Sequence, residues 1–146
     1  MLSNSCRYGI RAVIYLANYY HDKNNIGIKK ISGDLKLPAP FLAKILQQLA
    51  RNKILNSTKG PNGGFSLLKK PESITMLDII KIIDGDALLK NCIIHDGSCA
   101  EIRKNKKACP VHNDYSLIRG KIIDLFRSRT IADLVREARD SENIFI

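Results

Sequence analysis

The chain has 146 residues, 45% of them hydrophobic and 26% charged, with a formal net charge of +10. That length suits about one domain with a real hydrophobic core, and the composition is too apolar for a disordered chain. The longest apolar run, Ala12 to Ala17, is far short of a membrane span. The opening residues also lack the basic-then-apolar order of a secretory signal, so a cytoplasmic protein with no membrane contact is expected.

Residues 4–21 read as a helix: Ser3 or Ser5 can cap it, and Ile10, Val13, Ile14 and Ala17 recur at helical spacing. After a polar loop, a short helix is predicted over 29–35. Leu37-Pro38-Ala39-Pro40 then breaks the chain, with Pro40 suited to the first turn of the next helix. That helix is expected to reach Asn52, with Leu42, Ile45, Leu46 and Leu49 on one stripe and Lys44, Gln47, Gln48 and Arg51 on the other face. Two β-segments, 54–58 and 65–68, flank Lys59-Gly60-Pro61-Asn62-Gly63-Gly64. Asn-Gly between extended runs signals a hairpin because both residues tolerate positive φ. Helix, short helix, tight turn, helix, hairpin is the order of a winged helix-turn-helix.

A further helix is predicted over 75–84, capped by Thr75 and rich in Ile79, Ile80 and Ile83. Residues 85–111 show neither helical nor strand period and hold three of the four cysteines. Asn113 or Asp114 opens a long helix to about Arg127, in which Tyr115, Ile118, Ile122 and Leu125 form a seam suited to a partner helix. Thr130-Ile131-Ala132-Asp133 caps a final short helix. The expected fold class is mainly α with a small β-hairpin wing: a winged helix-turn-helix domain over 1–84, a cysteine-rich cofactor loop over 85–112, and a dimerisation helix with a C-terminal helix over 113–146.

Charge is distributed unevenly. Residues 1–70 carry twelve Lys and Arg against only Asp22 and Asp34, whereas residues 71–146 carry twelve of each sign. A basic module joined to a neutral one is the footprint of a protein that holds a polyanion with one end. This agrees with the winged-helix order, which uses no charge information, so double-stranded DNA is the expected partner. Ala39, Pro40, Phe41 and Lys44 stand at the end of the recognition helix nearest the groove, Gln48 could supply a base-edge or phosphate contact, and Arg51 suits the DNA backbone. A merely solvated helix face would also account for any one residue of this row. At the wing tip, Lys59, Gly60, Pro61, Asn62 and Gly63 would let backbone amides approach phosphate oxygens. The tip does not have nucleotide-binding P-loop spacing.

The second chemical feature is Cys92-x6-Cys99-x9-Cys109-x2-His112. In a reducing compartment such thiols point to metal or redox work rather than disulfides. Three thiols and an imidazole within 21 residues are the right number for a tetrahedral zinc ion or an iron–sulfur cluster, and the wide spacing suits something larger than one ion. Lys90, Arg103, Lys104, Lys106 and Lys107 around them would favour thiolates. Cys6 reads as a half-buried small residue, with a ligand role as its alternative, and His95 as a solvated side chain. The tyrosines of the first helix read as core or dimer-contact aromatics. No Ser-His-Asp, paired-carboxylate or cofactor-phosphate motif appears, so no enzyme is expected.

These features together resemble the IscR–NsrR family of bacterial regulators, also called the Rrf-two family. The resemblance runs over nearly the whole chain: Arg7-Tyr8, Phe41-Leu42, Gly60-Pro61-Asn62-Gly63-Gly64-Phe65, Asp78-Ile79-Ile80, Asp84, and Thr130-Ile131-Ala132-Asp133-Leu134. It implies a homodimeric transcription factor on a palindromic operator. It also implies a 2Fe–2S or 4Fe–4S cluster on Cys92, Cys99 and Cys109, with His112 as the matching fourth ligand, sensing iron–sulfur status, nitric oxide or redox state. The longer intervals between the cysteines depart from the common pattern. The competing expectations are a zinc-containing or metal-free winged-helix repressor responding to thiol oxidation, a metabolite or a partner protein, and a small metal-dependent redox carrier.

Overall fold

The computed structural model describes residues 1–22, 24–104 and 109–140. Eight helices and one hairpin follow in chain order among them: α1 (Asn4–Ala17), α2 (Ile28–Leu35), α3 (Ala39–Arg51), β1 (Leu55–Thr58), β2 (Gly64–Leu67), α4 (Met76–Ile83), α5 (Ala87–Lys90), α6 (Cys99–Lys104), α7 (His112–Ser128) and α8 (Ile131–Asp140). The mainly helical winged arrangement is the one the sequence predicts. None of these helices is long and apolar enough to cross a membrane.

Ser3 caps α1, its Oγ accepting from the Cys6 amide at 3.0 Å while its own N–H and O–H donate to the Asp84 carboxylate just past α4. The start of α1 is thereby tied to the end of α4. The helix stops at Ala17 rather than 21. After Ala17 the helical apolar spacing lapses, and Asn18 turns its side-chain amide back onto the Ile14 carbonyl. A short 3-10 turn at Tyr20–Asp22 follows.

Lys36, in the left-handed region at φ 54°, ends α2, and Pro38 and Pro40 start α3 in a new direction. Leu42, Ile45, Leu46 and Leu49 are all buried, as their stripe predicts. The strands pair antiparallel, Leu55 opposite Leu67 and Thr58 opposite Gly64, and Ile26 adds a bridge to Phe65 through two 2.9 Å backbone bonds. The hairpin therefore forms where Asn-Gly marks it, but the positive φ values fall on Gly60 (103°) and Gly64 (146°) rather than on Asn62 and Gly63.

Gly64 is structurally demanding. A Cβ there would lie 2.3 Å from the Ile26 carbonyl oxygen, a backbone atom locked in the bridge to Phe65. Gly64→Ala is expected to destabilise the chain by about 2 kcal/mol or more, because overpacking and a strained φ add. A lower urea midpoint checks this; an unchanged midpoint would show that the bridge yields freely.

Two matching caps close the fold. Thr75 and Asp78 form a capping box on α4, and Thr130 and Asp133 form the same reciprocal bonds at the start of α8. Backbone bonds from Met76 to Arg129 and from Ile131 to Ile74 join the two starts. Phe126, Ile131 and Val135 then enter the core formed by α1, α3 and α4, and α8 lies on α1.

Residues 85–111, expected to lack regular structure, contain α5, α6 and a bridge between Asn91 and Ser98. The reason is local: Ser98 accepts from the Glu101 amide at 3.2 Å, and Glu101 returns a bond to the Ser98 amide at 2.9 Å, capping α6. On α7 the expected seam divides. Ile122 packs against the core with Phe126, while Leu117, Ile118 and Leu125 stand 69%, 56% and 51% exposed.

Candidate functional site

The basic face is built by α3 and the wing. Pro40, Phe41 and Lys44 are exposed along the first turns of α3, with Ala39 half-buried. Phe41 meets Tyr8 edge-on at 5.9 Å, so an aromatic pair braces the start of this helix. Lys59, Gly60, Pro61 and Asn62 are exposed at the wing tip, and Gly63 closes it by donating to the Gly60 carbonyl at 3.0 Å. Between α2, α3 and the wing lies a cleft of about 520 Å³, lined among others by Lys29, Gln47, Thr58 and Lys59. Gln47 bridges α3 to the wing through Ser57 at 3.2 Å.

Gln48 stands apart from this row. Its amide donates to the Ile82 carbonyl at 2.6 Å, which fixes α3 against the last turn of α4 and engages the group that the sequence places toward DNA. Lys29 was not singled out by the sequence. Its place becomes visible only when the start of α2 is brought beside the wing.

The cysteine loop forms a second, separate site. Cys92, Cys99, Ile102, Arg103, Cys109, His112 and Asn113 line a cleft of about 250 Å³. Cys92 N–H donates to the Gly97 carbonyl at 3.0 Å, closing a turn that carries His95 back over Cys92. The Cys92 sulfur lies 3.5 Å from Cys109 Sγ and 3.5 Å from His95 Nδ1. Backbone amides of His95 and Ile94, together with the His95 ring, pull the Cys92 thiol down to about 6. Burial and the shared bond with Cys92 push Cys109 upward, so the pair favours one thiolate and one thiol.

Cys99 is held from α7. Arg119 donates to Cys99 Sγ at 3.4 Å and to the Asn91 carbonyl at 3.0 Å, with its guanidinium 5.3 Å above the Tyr115 ring. His112, the first residue of α7, lines the cleft, and its backbone N–H donates to the Cys109 carbonyl. His95, expected to be solvated, is instead half-buried against Cys92. The signal that could have found it is the tight Cys92-x2-His95 spacing. Cys6 is fully buried in the core near Asp84, where burial pushes its thiol to about 12, away from the thiolate form that a metal ligand needs. Lys106 and Lys107 lie outside the described residues.

The donor set fits a thiolate-bound metal group. Three sulfurs and an imidazole face one cleft, a thiol among them is already acidic, and Arg103 and Arg119 supply positive charge beside them.

Comparison with known proteins gives this arrangement its family. The model of the Rrf2 family, described as iron-dependent transcriptional regulators, matches residues 2–137. A relative from Aquifex aeolicus, named an HTH-type transcriptional regulator, is 34% identical over 135 residues, covering 92% of this chain and 91% of that one. The chain belongs to the Rrf2 family of transcriptional regulators. Two solved structures have the Rrf2 fold in common with it. The structure of CymR, the global cysteine regulator of B. subtilis, has a TM-score of 0.75 at 23% identity, with 94% of this chain and 97% of that one covered. IscR from T. potens has a TM-score of 0.70 at 22% identity, with 100% and 93% covered. Within this Rrf2 chain the wing, the capped α4 and α8, and the cysteine loop occupy the order the sequence resemblance implies.

Proposed function

We propose that this Rrf2 regulator binds a palindromic operator as a homodimer and that an iron–sulfur cluster in the cysteine loop sets its affinity. The observation that carries the reading is the gathering of Cys92, Cys99 and Cys109 around one cleft whose wall is pinned to α7 by Arg119. A bound cluster supplies iron that responds to oxidants, nitric oxide or iron supply. Cys92, Cys99 and Cys109 would hold it as thiolates, with His112 as the imidazole on the same wall. Leu117, Ile118 and Leu125 of α7 face the partner subunit, while Ala39, Pro40, Phe41, Lys44 and the Lys59–Gly63 tip face DNA. α7 packs on α4, and Gln48 joins α4 to the recognition helix, so a shift of the loop has a packed route to the DNA face.

The test is operator binding by fluorescence anisotropy, on a DNA sequence selected by the protein from a random pool. Chain purified without oxygen and carrying equal iron and sulfide is compared with metal-free chain. A 5- to 150-fold difference, corresponding to about 1–3 kcal/mol of coupling, is expected. The difference should vanish when Cys92, Cys99 and Cys109 are all replaced by Ser, and affinity should fall steeply with salt. Equal affinities of the two forms would remove the sensing mechanism and leave a DNA-binding protein only.

A further inference from the structure

Two distances from Cys92 within the loop are close to those of ligands around one ion. With metal–sulfur bonds of about 2.3 Å and metal–nitrogen bonds of about 2.0–2.1 Å, a tetrahedral ion sets two sulfurs about 3.8 Å apart and a sulfur and a nitrogen about 3.6 Å apart. Here Cys92 Sγ lies 3.5 Å from Cys109 Sγ and 3.5 Å from His95 Nδ1, and the two sulfurs and one His95 ring nitrogen fall within 4.8 Å of one another. Cys99 and His112 line the same cleft without joining this group, and the Cys99 sulfur is engaged by Arg119.

We propose that the cluster-free chain holds a single divalent ion of the zinc class at Cys92 Sγ, His95 Nδ1 and Cys109 Sγ, with the fourth position left to water. The backbone prepares the chelate. The Asn91–Ser98 bridge and the Cys92–Gly97 bond close the turn, Gly97 adopts φ 99°, and His95 is carried to within a ligand's distance of Cys92. Cys92-x2-His95 thus provides the tight ligand pair that the wide cysteine spacing lacks, and Cys109 completes the site from the far side of the loop. Because Cys92 and Cys109 would serve both groups, the loop holds the ion or a cluster but not both. The ion site does not rest on the cluster reading, since Cys92 already stands at ligand spacing from both His95 and Cys109.

Cobalt(II) is the probe, titrated into the reduced, metal-free full-length chain without oxygen and followed by its visible bands. One equivalent is expected to bind with bands of tetrahedral geometry and thiolate-to-cobalt charge transfer. His95→Ala should weaken binding about tenfold or more, and Cys99→Ser should cost clearly less than Cys92→Ser. His95→Cys should bind cobalt with about half again the charge-transfer intensity, a gain that a misfolded loop would not produce. Failure of the wild-type chain to bind cobalt would overturn the proposal. So would undiminished binding by His95→Ala, or a loss in Cys99→Ser as large as in Cys92→Ser. Iron and sulfide reconstitution on the same preparations separates the two readings. A chain that binds cobalt in this pattern but assembles no cluster keeps the ion site and loses the cluster. One that assembles a cluster while His95→Ala binds cobalt normally does the reverse.

Discussion

Replacing Ile118 and Leu125 together by glutamate is expected to make the chain monomeric and to lower its operator affinity by about 100-fold or more. Both side chains are more than half exposed on the outer face of α7, next to Leu117 at 69%. Covering the exposed half of such a side chain contributes about 0.8–1.5 kcal/mol, and a two-fold interface uses each residue twice. Glutamates at both positions would bring like charges together in a desolvated seam, so the substitutions remove attractions and add repulsion. The DNA consequence follows from linkage of two half-sites. A dimer engages the second half-site at high effective concentration, a gain of about 10²–10⁴ that a monomer forfeits. The inward side of α7, Ile122 and Phe126, is untouched, so helix content should be retained. Sedimentation velocity reads the mass and anisotropy reads the affinity. A variant that remains dimeric and binds DNA normally would place the dimer contact elsewhere.

That outer face was only partly legible in the sequence. Tyr115, Ile118, Ile122 and Leu125 satisfy one helical stripe, yet Ile122 turns to the core, and the exposed set takes in Leu117 instead. A helix with apolar residues on two sides has no single period, and only the position of α4 decides which side is covered. Elements written in local chemistry were easier. The Thr75 and Thr130 capping boxes, the α3 stripe and the glycine-rich wing all rest on residues no more than seven positions apart. The end of α1 failed because tyrosines past Ala17 look compatible with a helix until Asn18 back-bonds to Ile14. In the cysteine loop, the Ser98–Glu101 box was present in the sequence but hidden by the expectation of irregular structure. Gln48 turns on a tertiary contact, reaching 34 residues away to Ile82, whereas His95 is aimed by a local turn closed between Cys92 and Gly97 whose trace in the sequence is only the short Cys92–His95 spacing.

Arg119→Ala is expected to abolish most of the difference in operator affinity between the metal-loaded and metal-free chain while leaving dimerisation in place. The side chain lies 20 residues from Cys99 in sequence, and its guanidinium donates to Cys99 Sγ and to Asn91 O at once. These two acceptors stand on opposite sides of the turn that carries Cys92 and His95. One planar cation on α7 therefore grips both arms of the loop, and its stacking over Tyr115 fixes where that grip is held. Leu117, Ile118 and Leu125 face away from it, so alanine at 119 removes the tether without touching the seam. Arg119→Lys keeps the charge but loses the planar fork, and should retain only a small part of the response. If Arg119 merely supports the fold, both variants would instead lower the unfolding midpoint and weaken DNA binding equally in the two metal states. The decisive quantity is the ratio of the two affinities. In a protein coupled through this residue the ratio collapses from 5–150 toward 1, whereas in one coupled by another route it survives the loss of Arg119.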